Sequence, residues 1–348
     1  MRIITNSIKS NPFRKTAIQT ADKILENRRP FKSENFTTSD YKYLQERIAT
    51  QALKFIQQDE KIPLVLIGFS MKSPSPAKTL SQFADRAEYE ALNHLNNFTE
   101  SISDVYDVGA KFKIYTDGRI FTDSIVGASD ERVTKYIQGL RNFLTKLKSK
   151  KLDIIAPEDF YKTTGENARK MLFSDFPVKR EEILSLLEKD IFLKEYKTFM
   201  RDFYAKDIRA QNPGLSIRQS RNSGEKVALS VICAAESLGR YVNSIFGDRM
   251  IRLSVHAKPV HDIQNKVGIY LNALKENCPM PWHGAALKIP QPDGSEKFIY
   301  EKKSILENLG CKLIPDIDGK GEYFELPLNI KYNPRLSFRE NLHLIKEG

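Results

Sequence analysis

Cysteine is scarce in this chain. Its 348 residues contain three, Cys233, Cys278 and Cys311, with no Cys-x-x-Cys pair, which excludes a disulfide scaffold and offers no zinc-finger spacing. Long apolar runs are missing too. The longest near-continuous ones, 62–69 and 227–235, fall far short of the roughly 20 residues that cross a bilayer. Residues 1–15 carry neither an apolar core nor a small-residue cleavage site, so no signal peptide is expected and the protein is expected in the reducing cytoplasm.

Glycine-rich nucleotide fingerprints are absent as well. No Gly-x-Gly-x-x-Gly follows a strand and no Gly-x-x-x-x-Gly-Lys-Ser/Thr occurs; Gly319-Lys320-Gly321 sits in a late polar turn. His256, His261 and His283 match neither His-Glu-x-x-His nor a facial-triad spacing, so no bound metal is expected. His261-Asp262 reads as a solvated loop pair. What the chain has in excess is positive charge: 55 Lys and Arg against 44 Asp and Glu, a balance of +11. That surplus asks for an anionic partner. With 41% hydrophobic and 28% charged residues, the composition is that of a globular protein with one large domain or two unequal ones.

Hydrophobic periodicity predicts amphipathic helices over 16–29 and 39–57, the second starting from a Ser39-Asp40 cap. Next comes a buried strand at 62–69, a polar loop at 70–77 and a helix over 78–98. Strand pieces at 111–115 and 119–121 flank a Thr116-Asp117-Gly118 turn. A helix over 130–149 starts from Ser129, and a strand at 152–156 stops at Pro157. Strands alternating with helices predict an α/β fold, a Rossmann-like doubly wound and mostly parallel sheet. Residues 158–206 read as a helical insertion and 211–226 as a polar lid or linker. A helix over 226–246 then feeds strands at 250–258, 267–274 and 284–289. Strand-like runs at 298–300, 312–315 and 323–326, with a helix at 303–309, form a smaller C-terminal α+β portion. The expected organisation is N-terminal helices at 1–58, a catalytic domain at 59–290 and a small region at 291–348.

Three segments have the residue types of a site. The first is the loop after the first strand, with Ser70, Lys72, Ser73 and Ser75. In open sheets ligands bind outside the carboxyl ends of the strands, near the point where strand order reverses. A helix N-terminus with a lysine and hydroxyls there suits a phosphate-like anion; the plain alternative is a proline-stiffened connector. The second is Asp117-Gly118-Arg119 with Asp123 and Asp130, in which acids could meet an amine and an arginine a carboxylate. Its alternative is a hairpin in which Asp-Gly supplies left-handed geometry. In the third, strand alternation puts Arg252, Ser254, His256 and Lys258 on one face, either a wall of an anion site or a charged, protected edge. His283 follows the single tryptophan, Trp282.

These segments carry a family resemblance. Phe69-Ser70-Met71-Lys72-Ser73-Pro74-Ser75-Pro76-Ala77-Lys78, followed by Asp85-Arg86-Ala87-Glu88 and Ala91-Leu92, resembles the first signature of the isonitrile (isocyanide) synthases of the pyoverdine/dityrosine biosynthesis group. Thr116-Asp117-Gly118-Arg119-Ile120-Phe121-Thr122-Asp123, with Val126-Gly127 and Ser129-Asp130-Glu131, resembles the second. Ile251-Arg252-Leu253-Ser254-Val255-His256 and Pro281-Trp282-His283-Gly284 resemble the third and fourth, and residues 197–207 resemble a weaker family segment. Ala257 stands where the family pattern has proline, and Ser237-Leu238-Gly239-Arg240-Tyr241 stands where it has a tryptophan-containing stretch.

The resemblance implies an enzyme of secondary metabolism that converts the amine of L-tyrosine or L-tryptophan to an isonitrile. The carbon would come from C2 of ribulose 5-phosphate in a lyase-type transfer through an imine, releasing phosphate, formaldehyde and hydroxyacetone. It implies no redox or metal cofactor, and a downstream iron/2-oxoglutarate oxygenase in the pathway. On this basis Lys72, Ser73, Arg252, His256 and Lys258 are expected to bind the sugar phosphate. Arg119, or more weakly Arg86, would hold the amino-acid carboxylate. Asp117, Asp123 and His283 would move protons, while Asp85 and Glu88 would order the first loop.

Two other functions compete. The charge surplus fits a nucleic-acid-binding protein. Its densest basic run, 146–151, however, closes a helix where it complements the dipole, and the other basic residues are mixed with acids. An S-adenosylmethionine-dependent transferase would share the sheet but wants a glycine-rich first loop.

Overall fold

A computed structural model of the chain describes residues 12–31, 35–125, 127–262, 264–327 and four isolated positions beyond them, 333, 336, 340 and 341. Residues 1–11 and Val126, used above, lie outside the described residues.

The central strand is β1, Ile62–Ile67 (IPLVLI). It pairs in parallel with β2, Ala110–Tyr115, on one side and β4, Ile251–Ser254, on the other. Strand β3, Leu152–Ile155, extends the β2 edge and β5, Val267–Gly268, the β4 edge, giving a parallel sheet of order β3-β2-β1-β4-β5. Being central, β1 is covered on both faces, which accounts for its unbroken apolar run. The doubly wound α/β expectation is met.

Side-chain alternation divides the two layers. Ile62, Leu64 and Leu66, with Phe112, Ile114, Ile251 and Leu253, pack under α1 (Pro12–Glu26), α2 (Thr38–Ile56), α3 (Arg86–Ile102) and α4 (Asp130–Leu147). On the opposite face Val65 and Tyr115 join a core with α6 (Gly165–Asp175), α8 (Ile191–Gln211) and α9 (Ile217–Phe246). Short helices α5 (Pro157–Tyr161) and α7 (Arg180–Lys189) complete the helical insertion. A second sheet of order β7-β6-β9-β8 is built from β6 (Ala285–Pro290), β7 (Glu296–Glu301), β8 (Lys312–Ile314) and β9 (Tyr323–Glu325), beside α10 (Lys303–Asn308). Strand β6, placed in the catalytic segment from sequence, therefore belongs to this second sheet.

Five local expectations are corrected. Helix α2 is capped by Thr37, whose hydroxyl accepts from the Asp40 amide while the Asp40 carboxylate accepts from the Thr37 amide; Ser39 is already helical. The helix expected over 78–98 begins only at Arg86, where Asp85 and Glu88 form a capping box. No hairpin surrounds Asp117, because β2 lies between two parallel partners and Arg119–Phe121 is a single 3-10 turn. Strand β4 ends at Ser254, so alternation governs Arg252 and Ser254, while His256 and Lys258 belong to the following loop. The polar stretch 211–226 is helical from Ile217, capped by Ser216 and Gln219.

Candidate active site

Strand order reverses between β1 and β4, so the crevice above their carboxyl ends is where such a sheet binds ligands. The backbone there is specialised. Phe69 has φ of 59°, a left-handed conformation that a bulky residue adopts at a cost of about 1–3 kcal/mol. Its ring packs on Trp282 with centroids 5.2 Å apart. This turn carries Ser70 toward β2, where its hydroxyl donates to Asp117 Oδ1 at 2.6 Å. Gly118 is required by the same approach, since a β-carbon there would lie 1.6 Å from the Ser70 carbonyl oxygen. Its φ of −60° is ordinary, so this glycine serves contact between the two loops rather than a left-handed turn.

Asp117 is enclosed, and no cation pairs with it among the described residues. Burial raises its carboxyl pKa to about 6, against the lowering effect of the Ser70 hydrogen bond. A carboxylate that is neutral in mild acid and ionised at neutral pH suits proton exchange with an amine. Helix α8 closes the site over it. Burial, with the field of Asp117, raises the Tyr196 phenol, and the same effects plus Tyr196 and Asp207 raise Tyr204. Tyr196 Oη lies 3.4 Å from His256 Nε2, with the rings edge to face. Burial and then Lys258, Arg29 and Lys266 push His256 down to about 3. The His283 ring stands 4.8 Å from Phe203, and its Nδ1 is buried without a hydrogen-bond partner among the described residues. Burial and then Lys78, His256 and Lys72 hold it well below the usual histidine range. Both imidazoles are therefore neutral, able to accept or relay a proton. Lys78 pairs with Asp207 at 2.5 Å and lies 3.6 Å over the Phe203 ring.

On the β4 side, Arg252 is only 6% exposed, yet among the described residues its guanidinium makes one hydrogen bond, Nη1 to Asn243 Oδ1 at 3.2 Å, and its Nε has none. Burial lowers its pKa to about 10, with Glu236, Tyr115 and Asp262 opposing. Lys258 Nζ is 3.5 Å from Asp262. A buried guanidinium with unspent donors costs free energy unless an anion meets it.

Other sequence candidates lie elsewhere. Lys72 is wholly buried, donating to Asp85 and Glu88 at 2.7 Å each and to the Pro281 carbonyl at 3.0 Å. Burial alone would lower its pKa, but the two carboxylates outweigh that and raise it. Burial likewise raises Glu88 against the pull of Lys72, and Tyr136 donates to Glu88 at 3.2 Å. The lysine has no donor left for a phosphate; it ties the first loop and α3 to the turn that carries His283. Ser73 supports the same junction, its amide donating to the Trp282 carbonyl at 2.8 Å.

Arg119 is similarly spent, on Asp130, Thr134 and Glu158 at 2.7–2.9 Å. Asp123 is mostly exposed and pairs with Arg169 at 3.0 Å, which also binds Asp130 at 2.8 Å. Arg86 pairs with Glu90 and Asp316 and covers the Phe298 ring. Asp123, Arg119 and Arg86 thus build the frame and do not meet Asp117. The sequence reading missed Tyr196, Phe203, Tyr204, Lys78 and Asp207 as site residues. The signals were the weaker segment 197–207 and the lysine that ends the first signature.

Residues 53–311 match the family model described as pyoverdine/dityrosine biosynthesis protein. The chain is 30% identical over 275 residues to an L-tryptophan isonitrile synthase of Fischerella ambigua, covering 77% of this chain and 82% of that one. It is 29% identical over 279 residues to an L-tyrosine isonitrile synthase of Pseudomonas aeruginosa, covering 78% and 82%. The crystal structure of the PvcA protein from Pseudomonas aeruginosa superposes with a TM-score of 0.80 at 25% identity, over 90% of this chain and 100% of that one.

Proposed function

Because the chain belongs to the pyoverdine/dityrosine biosynthesis family, we propose that it is an isonitrile synthase acting on the amine of L-tyrosine or L-tryptophan, with ribulose 5-phosphate as carbon donor. The observation that carries this reading is Asp117, a half-buried carboxylate at the carboxyl end of β2 with no cation of its own among the described residues. An incoming ammonium supplies the missing charge. Asp117 then takes one of its protons, leaving the amine free to attack the ketone at C2 of the sugar. Loss of water from the carbinolamine gives an imine, and this step needs a proton donor; protonated Asp117 returns its proton there, with His283 and Tyr196 within the same enclosure.

Further fragmentation, releasing formaldehyde, hydroxyacetone and phosphate, requires a held phosphate group and exclusion of water. Arg252 and Lys258 meet the phosphate, with His256 between them and Tyr196. Lys78, the charge acting most strongly on His283, takes the amino-acid carboxylate in place of Arg119. Aromatic side chains of α8 cover the imine. A product of this kind would be passed to an iron/2-oxoglutarate oxygenase in the cytoplasm.

The reading is tested by supplying each aromatic amino acid with ribulose 5-phosphate and following isonitrile by its infrared stretch and by mass. Wild-type protein forms it, and Asp117→Asn at least about 100-fold more slowly. Equal rates for the two proteins would remove Asp117 from the chemistry.

A further inference from the structure

The pairing of β4 with β5 has a consequence for charge. Leu253 lies beside Val267 and Ser254 beside Gly268 in a parallel register, and Lys266, in the loop that enters β5, lies close enough to Arg252 and Lys258 for their charges to act on it. Like charges this close repel, and neither side chain has an ion-pair partner among the described residues. Arg252 spends a single donor, on Asn243, and its buried Nε has no partner. The Lys266 ammonium has neither a hydrogen bond nor an ion pair among the described residues, only its backbone amide being engaged, by Asp262 at 3.0 Å. Lys258 brings a third cation, 3.5 Å from Asp262. The acids in reach are occupied. Asp262 accepts from the amides of Gln264 and Lys266 as well, and Glu236 accepts from the Gln264 side chain at 3.2 Å.

We propose that Lys266 completes, with Arg252 and Lys258, a binding site for a phosphate dianion. The site deepens the function proposed above and rests on it in naming the phosphate of a sugar phosphate as the natural ligand. Three cations close enough to act on one another, one of them a buried guanidinium with free donors, supply the charge and the fork-shaped donor that a phosphate requires.

Lys266 also makes binding sensitive to protons. Burial, then Arg252 and Lys258, lower its pKa to about 7, with Asp262 and Glu236 opposing. Of the remaining neighbours, Tyr115 lies toward Arg252 with its phenol raised to about 12, and His256 is neutral. Above pH 7 the empty site therefore holds Lys266 largely as the amine. An arriving dianion restores the ammonium, and the proton comes from solvent. The device lets the protein stay folded without the full three-charge repulsion and recover the third charge when the ligand enters.

Calorimetric titration of the intact protein with inorganic phosphate and with ribulose 5-phosphate at pH 8, in two buffers of different ionisation enthalpy, tests this. Wild-type protein binds both probes with net proton uptake. Lys266→Met binds each about 10- to 100-fold more weakly, the worth of a lost charge-assisted contact, and without that uptake. Its thermal midpoint without ligand at pH 6, where the wild-type ammonium is charged, equals or exceeds the wild-type value, because a repulsion has been removed. Arg252→Met gives an independent loss of affinity should Lys266→Met fold poorly. Wild-type affinity and proton uptake retained in Lys266→Met, or no phosphate binding by wild-type protein, would overturn the site. Lys266-dependent phosphate binding without isonitrile formation would sustain the site and remove the proposed reaction. Isonitrile formation with an unchanged KM for ribulose 5-phosphate in Lys266→Met would do the reverse.

Discussion

The Ser70 hydroxyl donates to Asp117 across 2.6 Å and so joins the carboxyl ends of two adjacent parallel strands at the floor of the crevice. The contact requires a strained Phe69 on one side and a side-chain-free Gly118 on the other. Two loops far apart in sequence are thereby fixed around one carboxylate whose ionisation falls near neutral pH.

Asp117 gives the site a pH dependence of defined sign. Its carboxyl group is raised from 3.8 to about 6 by burial, so the basic form is lost as pH falls through 6. With wild-type protein, kcat/KM is expected to fall about tenfold per pH unit below that point. The native state also holds this proton to a higher pH than the unfolded chain does. Its contribution to stability is therefore present below about pH 4 and is lost as pH rises through 6. Asp117→Asn should lack both trends, as read from pH–rate profiles and from urea midpoints across pH 4–7.

Gly118→Ala is expected to destabilise the fold by on the order of 3 kcal/mol, because the new methyl group meets a backbone carbonyl that cannot step aside. Urea unfolding at neutral pH measures this. An alanine variant of wild-type stability and activity would mean that the two loops separate easily.

Lys72→Met separates a structural from a ligand-binding role. Leaving Asp85 and Glu88 buried without their cation costs about 3–5 kcal/mol. The fraction that remains folded should keep its affinity for ribulose 5-phosphate, measured calorimetrically. A selective loss of sugar-phosphate affinity at unchanged stability would return Lys72 to the phosphate site.

Arg252→Met should raise KM for ribulose 5-phosphate about 10- to 100-fold and leave KM for the amino acid unchanged, since in the proposed site only the phosphate meets this guanidinium. Steady-state kinetics with each substrate varied in turn provide the comparison.

Much of the fold was legible in the sequence because its signals are local. The apolar run of β1 announces a strand covered on both faces, and Ser129 marks the start of α4 by its cap. Asp117, His256 and His283 also stood out, as polar groups at the ends of apolar strands. What sequence could not convey was where long cations end. Lys72 and Arg119 lie in suggestive motifs, yet each finds carboxylates supplied by residues 11 to 39 positions away. Conversely, Lys266 sits in an unremarkable loop and gains meaning only because the fold brings it within the field of Arg252 and Lys258. Alternation carried past Ser254 overstated the strand, because a single β-bridge period cannot reveal where hydrogen bonding stops.

The central claim is the transfer of one carbon from a sugar phosphate to an aromatic amine. It is tested most directly by incubating the protein with ribulose 5-phosphate carrying carbon-13 at C2 and, separately, L-tyrosine or L-tryptophan, then analysing the product by mass spectrometry. The account predicts an isonitrile with the label in its terminal carbon from at least one of the two. No isonitrile from either, or an isonitrile without the label, would contradict it.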